Sequence, residues 1–179
     1  MKSIKKIYII LLIIFAQFIT SCSSNSPMKP EDFKDKKPRL IIENYLDSYF
    51  KTIKSNLNDD GVAAIQAIVI DDELYSRYKS KEDFIQKYIF PGGFLPSKNS
   101  LKKLSMQNGL QIDLINSYGQ HYSDTLKIWR NEFMKKWDLI SKQGFDLTFK
   151  KMWDFYLSYC EAGFKSKNID LIQFSMQNK

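Results

Sequence analysis

Three short apolar runs constrain this chain more than anything else in it: VAAIQAIVI (62–70), LQIDLINSYG (110–119) and IDLIQFSMQ (169–177). Each is rich in branched aliphatic residues, is short for a buried helix and is bounded by turn residues, which is the pattern of a β-strand. The first is almost wholly apolar and predicts a strand buried on both faces. Longer amphipathic stretches separate the runs. YFKTIKSNL reads as helix and stops at NDDG, and DDELYSRYKSKEDFIQKY also reads as helix. Ser97 is placed to cap a helix over KNSLKKLSMQN, with Gly109 as its stop. Trp129, Phe133 and Trp137 recur every four residues on one helical face, and Phe149, Trp153 and Tyr156 do so at spacings of four and three on another. Strands alternating with helices predict an α/β layer fold whose helices cover both faces of one sheet.

Composition fits one domain: 179 residues, 44% hydrophobic and 15% aromatic. The net charge of +7 includes Lys2, Lys5 and Lys6 of a terminal basic cluster, and without them about +4 remains. That is a mild bias toward anionic surfaces and does not support nucleic-acid binding. The two cysteines, Cys22 and Cys160, are far apart, and neither belongs to a Cys/His cluster, so no disulfide framework or metal site is indicated.

Residues 1–22 read as a targeting segment. The three lysines precede an apolar run, Ile7 to Ile19, of 13 residues, against roughly 20 needed to span a bilayer. The run ends in ITSC, which resembles the signal for cleavage and lipidation of bacterial lipoproteins on the cysteine. Cys22 is the expected lipidation site and SSNSP a short tether. An uncleaved anchor is the alternative. KPEDFKDKKPRLIIENYLD resembles the start of a family of small bacterial lipoproteins, so the expected partition is signal 1–22, tether and lipoprotein-like segment 23–47, and main domain 48–179.

The words YFKTIKSNLNDDG, IQAIVIDDELY, DFIQKYIFPGGFLPS, YGQHYSDTLKIW and MWDFYLSYCEAGFKSKNIDLIQFSMQ occur in order from about Tyr49. Together they resemble the C-terminal half of the cyclopropane-fatty-acyl-phospholipid synthase family, which includes the mycolic acid cyclopropane synthases. The resemblance implies about three strands and flanking helices from a class I, Rossmann-like methyltransferase. It also implies methyl or methylene transfer from S-adenosylmethionine to unsaturated phospholipid acyl chains at a membrane, with bicarbonate as the base. Tyr122, Gln66 and Ile68 then fall at the bicarbonate site. Gln66 stands where members carry histidine; it can donate a hydrogen bond but cannot titrate, which puts ring closure in doubt and leaves a methyl or methylene product open. Tyr88, Phe90, Pro91, Gly92, Gly93, Phe94 and Leu95 fall on an apolar loop beside the acyl chain, stiffened by Pro91 and Pro96.

Each residue also has a plain structural reading: Tyr122 as a packing tyrosine, Gln66 as a bonded core amide, His121 as structural, Cys160 as a small buried hydrophobe and Glu161 as a paired surface charge. Moreover, no G-x-G occurs among the seven glycines, and the family's upstream cysteine and glutamate have no counterpart. The expectation is therefore a join, near Asp47 to Tyr49, of a lipoprotein beginning to half of an enzyme. Such a chain would not bind S-adenosylmethionine alone, and would act with the missing half from another chain or as a homo-oligomer. The competing expectation is a membrane-tethered, non-catalytic lipid-binding or structural module.

Overall fold

The computed structural model describes residues 38–179, with side chains from Tyr45 onward except that of Leu114. Cys22 and the expected signal segment lie outside the described residues, and the 23–47 segment overlaps them only from Pro38. The order is α1 (Pro38–Asn56), β1 (Val62–Ile70), α2 (Asp72–Ser80), a π-helical turn (Ile85–Ile89), α3 (Lys98–Gln107), β2 (Leu110–Ser117), α4 (Gly119–Lys135), α5 (Trp137–Ser141), α6 (Leu147–Lys165) and β3 (Ile169–Asn178). Local chemistry sets many of these limits. Asp71 accepts from Glu73 N–H at 2.9 Å to open α2, and Asp146 accepts from Phe149 N–H at 2.7 Å to open α6. Ser97 and Ser100 form a reciprocal capping box at the start of α3. Gly109, at φ 68°, takes the left-handed position after α3.

The three apolar runs are the three described strands, in the order β1-β3-β2. β3 lies between the others and antiparallel to both, with Gln66 opposite Gln173 and Ile115 opposite Phe174. β1 and β2 are therefore parallel to each other.

Helices cover both faces, as expected. On one face Phe50 of α1 and Leu101 of α3 close over Ala67, Val69, Leu110, Ile172, Phe174 and Met176. On the other, Leu126 of α4 and Tyr156, Leu157, Cys160 and Phe164 of α6 pack over Leu171, with Ile68 and Ile169 alongside. Fully burying one such aliphatic or aromatic side chain contributes about 1.5–3 kcal/mol, so two facing layers account for the sheet's stability.

Two expectations are corrected. β1 is not buried on both faces along its length: Val62, Ala64 and Gln66 are exposed, because the second helical layer reaches only its C-terminal half. The helix carrying Trp129 and Phe133 ends at Lys135, so Trp137 begins α5 instead of continuing the same face. Its ring still meets Phe133, at 5.8 Å between centroids.

Candidate functional site

The loop after α2 is built around one buried amide. Gln86 Nε2 donates to the Gly93 carbonyl at 2.9 Å and to the Tyr78 hydroxyl at 3.0 Å, while Gln86 Oε1 accepts from Asp83 N–H at 3.0 Å. The Asp83 carboxylate accepts in return from Gln86 N–H at 2.8 Å, and the Tyr78 hydroxyl accepts from Leu95 N–H at 3.1 Å. Pro91 and Gly92 fill the centre of a tight turn closed by Gly93 N–H donating to the Phe90 carbonyl at 2.8 Å. Gly92 sits at φ 82°, the left-handed position such a turn requires after proline.

The structure separates the expected loop residues. Phe90 turns inward, edge-on to Tyr156 at 6.0 Å. Phe94 packs away from that cluster, on Tyr75 and Tyr78 of α2 at 6.0 and 5.8 Å. Tyr88 and Pro91 are exposed, and Leu95 is half-buried. Phe84, Ile85, Ile89 and Phe90 thus close one end of the aromatic layer under α4 and α6.

Within that layer Tyr122 stands one turn into α4, its ring edge-on to Phe164 at 4.9 Å and to Trp129 at 5.9 Å. Burial raises the affinity of its phenol for the proton, and the neighbouring Cys160 adds to this. Burial pushes the Cys160 thiol up to about 12 and also drives the Tyr156 phenol upward. All three groups stay protonated near neutral pH, so the layer in which they meet is aromatic and neutral, while at its margin Arg130 of α4 and Asp154 of α6 form an ion pair at 2.6 Å. Ile68 belongs to the same cluster, whereas Gln66, two residues earlier on the same face of β1, reaches solvent and accepts from Gln173 Nε2 at 2.9 Å. Tyr122 and Ile68 are brought together; Gln66 lies at the margin. His121 is exposed beside Tyr118, and Cys160 is buried.

A second constellation was not found from the sequence. Asp170 accepts from Lys98 Nζ at 2.8 Å, Ser117 Oγ at 2.7 Å and Gly119 N–H at 3.0 Å, and so ties together the starts of β3, α3 and α4 and the end of β2. Partial burial opposes its charge, but Lys98, Ser117 and the Gly119 amide outweigh this and hold its carboxyl below the usual range. The group edges a cavity of about 430 Å³, with Val69, Ile70, Asp71, Gly119 and Phe164 among its walls. A single aspartate opening an apolar run has no periodicity to betray it.

The strand-to-helix turns decide whether these residues fit a nucleotide-type cofactor, which is seated on free N–H groups at a Gly-rich helix start. After β1 the helix start is closed by the Asp71 carboxylate, and after β2 the Gly119 N–H is taken by Asp170. Neither of these two turns carries a Gly-x-Gly start.

A three-stranded sheet with its last strand inserted antiparallel between the other two, backed by helices on both faces, is an α/β arrangement that solved methyltransferases share. The model of the mycolic acid cyclopropane synthetase family matches residues 39–174, and the chain belongs to that family. It is 39% identical over 129 residues to tuberculostearic acid methyltransferase UfaA1 of Mycobacterium tuberculosis, covering 72% of this chain and 30% of that protein. It is 30% identical over 131 residues to the cyclopropane-fatty-acyl-phospholipid synthase of Escherichia coli, covering 73% and 32%. Among solved structures, mycolic acid cyclopropane synthase CmaA1 complexed with SAH and CTAB superposes with a TM-score of 0.65 at 26% identity, over 75% of this chain and 50% of that one. The chain thus spans about a third of these curated relatives and half of the solved synthase.

Proposed function

We propose that residues 38–179 are the acyl-chain side of an S-adenosylmethionine-dependent methyltransferase acting on unsaturated phospholipid chains at a membrane surface. The observation that carries this reading is the aromatic layer in which Tyr122, Tyr156 and Phe164 meet, with Phe84, Ile85, Ile89 and Phe90 packed against it. Carbocation chemistry on an alkene needs such a lining, because water would quench the cation. The cofactor supplies the methyl group in enzymes of this kind; its seat belongs to a part not formed by these residues. What this part does is hold the chain, exclude water and orient an anion. The Tyr122 hydroxyl, kept protonated by burial, and the Gln66 amide are donors that, with the Ile68 backbone, would hold bicarbonate. Since Gln66 cannot take up a proton, methyl or methylene products fit this site better than ring closure.

The test is a chimera of residues 38–179 on the N-terminal part of a full-length relative, assayed on unsaturated phospholipid vesicles. We expect methylated product, and Tyr122→Phe should lower the rate by roughly 10² to 10³, the usual cost of losing one preorganised donor. A folded chimera without product overturns the reading. A second reading, a tethered module that binds lipid without catalysis, is favoured by the occupied helix starts. It would show as vesicle or fatty-acid binding by the chimera with no turnover.

A further inference from the structure

The hairpin formed by α4, α5 and the start of α6 ends in a tip that packs chiefly on itself. No residue of α5 is buried, and a β-carbon on Gly144, in the turn to α6, would meet nothing within 4 Å. Inside the tip, rings hold one another: Trp137 meets Phe133 at 5.8 Å and Phe149 meets Phe145 at 4.5 Å between centroids. Large apolar side chains point outward. Met134, Leu139 and Leu147 are 43%, 55% and 66% exposed.

Lysines are set among them. Five lysines and two acids lie between positions 134 and 151, and one of the acids, Asp146, is taken up in capping α6. Glu132 pairs with Lys135 at 3.0 Å and with Lys136 at 3.2 Å, but these side chains reach water, where such pairs contribute little and salt screens them. Both lysines therefore remain open to a stronger anion. Lys142 is exposed as well.

This mixture of side chains selects the partner. The core of a protein interface is depleted in lysine, so apolar residues set among five lysines are a poor seat for more polypeptide. The boundary of a bilayer suits them: aliphatic side chains and tryptophan settle at its apolar edge while lysine ammonium groups reach up to lipid phosphates. We propose that this tip is a membrane-docking surface, in which Trp137, Leu139 and Leu147 enter the headgroup region of an anionic bilayer and Lys135, Lys136 and Lys142 engage its phosphates. The surface uses none of the residues assigned above to the anion or the acyl chain. That the docked domain then meets a substrate rests on the acyl-chain reading; docking itself does not.

The full 179-residue chain carrying Cys22→Ser is mixed with vesicles of acyl-brominated phosphatidylcholine, alone or with phosphatidylglycerol, and tryptophan fluorescence is read. Every variant keeps the apolar run at 7–19, so its contribution is common to all. We expect quenching that is stronger on the mixed vesicles and is lost in Trp137→Phe, because Trp129 and Trp153 pack against the inner aromatic layer. Each basic residue near an anionic surface is worth roughly fivefold in binding, so glutamine at 135, 136 and 142 together should weaken docking about 10²-fold. Far-UV circular dichroism should not change. If Trp137→Phe disturbs the tip, a polarity-sensitive dye on Leu147→Cys reads the same contact by a blue shift, since Cys160 is buried and stays unlabelled. Methyl transfer plays no part in the readout, so an inactive chimera and an undocked tip are separate results. Absent quenching, quenching that persists in a folded Trp137→Phe variant, or equal quenching on both kinds of vesicle would overturn the proposal. So would a tip that binds RNA or an acidic protein while Trp137 stays unquenched.

Discussion

Asp170 shows how one side chain can hold three elements whose sequences do not mark it. A β-carbon on Gly119 would lie 2.7 Å from Asp170 Oδ1, so the close approach depends on glycine there. Asp170→Asn should cost about 1.5–3 kcal/mol at neutral pH, the range for hydrogen bonds to a charged group, measured by urea unfolding. The sign with pH follows from the lowered folded-state pKa. The stabilisation is complete above the unfolded carboxylate value, about 3.9, and is lost as pH falls through the lower folded value. The gap between wild type and Asp170→Asn should therefore hold at mildly acidic pH and close in strong acid; a gap that widens there would refute the assignment. Tyr122 could be singled out for the opposite reason, because it lies in a continuous matching word, YGQHYSDTLKIW. Asp170 makes its contacts with Lys98 and Ser117 far along the chain, where no local pattern could point.

At the scale of elements, the strands could be read because each is a branched apolar run limited by its own turn chemistry. β1 spans the whole of VAAIQAIVI, and β2 and β3 begin where LQIDLINSYG and IDLIQFSMQ begin. Their pairing could not be read: that β3 lies between the other two depends on which faces the helices leave free. Periodicity also ran too far at Trp137, where a spacing of four continues across a helix end. Leu46, Phe50 and Ile53, by contrast, keep one buried period through the position at which a segment boundary was expected, and α1 is a single helix from Pro38 to Asn56. The Gln86 staple was missed because a glutamine within an apolar loop carries no signal of its bonding. Gln86→Leu would leave Asp83 N–H and the Gly93 carbonyl without this partner, at about 1–3 kcal/mol for each buried group left unsatisfied. Hydrogen exchange should quicken across 83–95 while β3 stays protected. Uniform loss of protection would show that Gln86 supports the whole domain and not the loop.

For the whole molecule, two parts of the sequence point to different places. The family part implies chemistry that uses S-adenosylmethionine, yet at its two strand-to-helix turns the Glu73 and Gly119 N–H groups are already bonded to Asp71 and Asp170. Calorimetric titration of this chain should therefore show no binding at low micromolar concentrations, where a site worth about −8 kcal/mol would be evident. The leading segment resembles a lipoprotein signal, and we propose that it directs export and acylation on Cys22. No described helix is long and apolar enough to cross a membrane. In a bacterium with lipoprotein processing, the wild-type chain should incorporate labelled fatty acid and Cys22→Ser should not. The labelled form should fractionate with membranes after a salt wash that strips electrostatic binding. Unlabelled, full-length wild-type protein would show that the leading segment is an uncleaved anchor or is not used, and would remove lipidation as an argument for export.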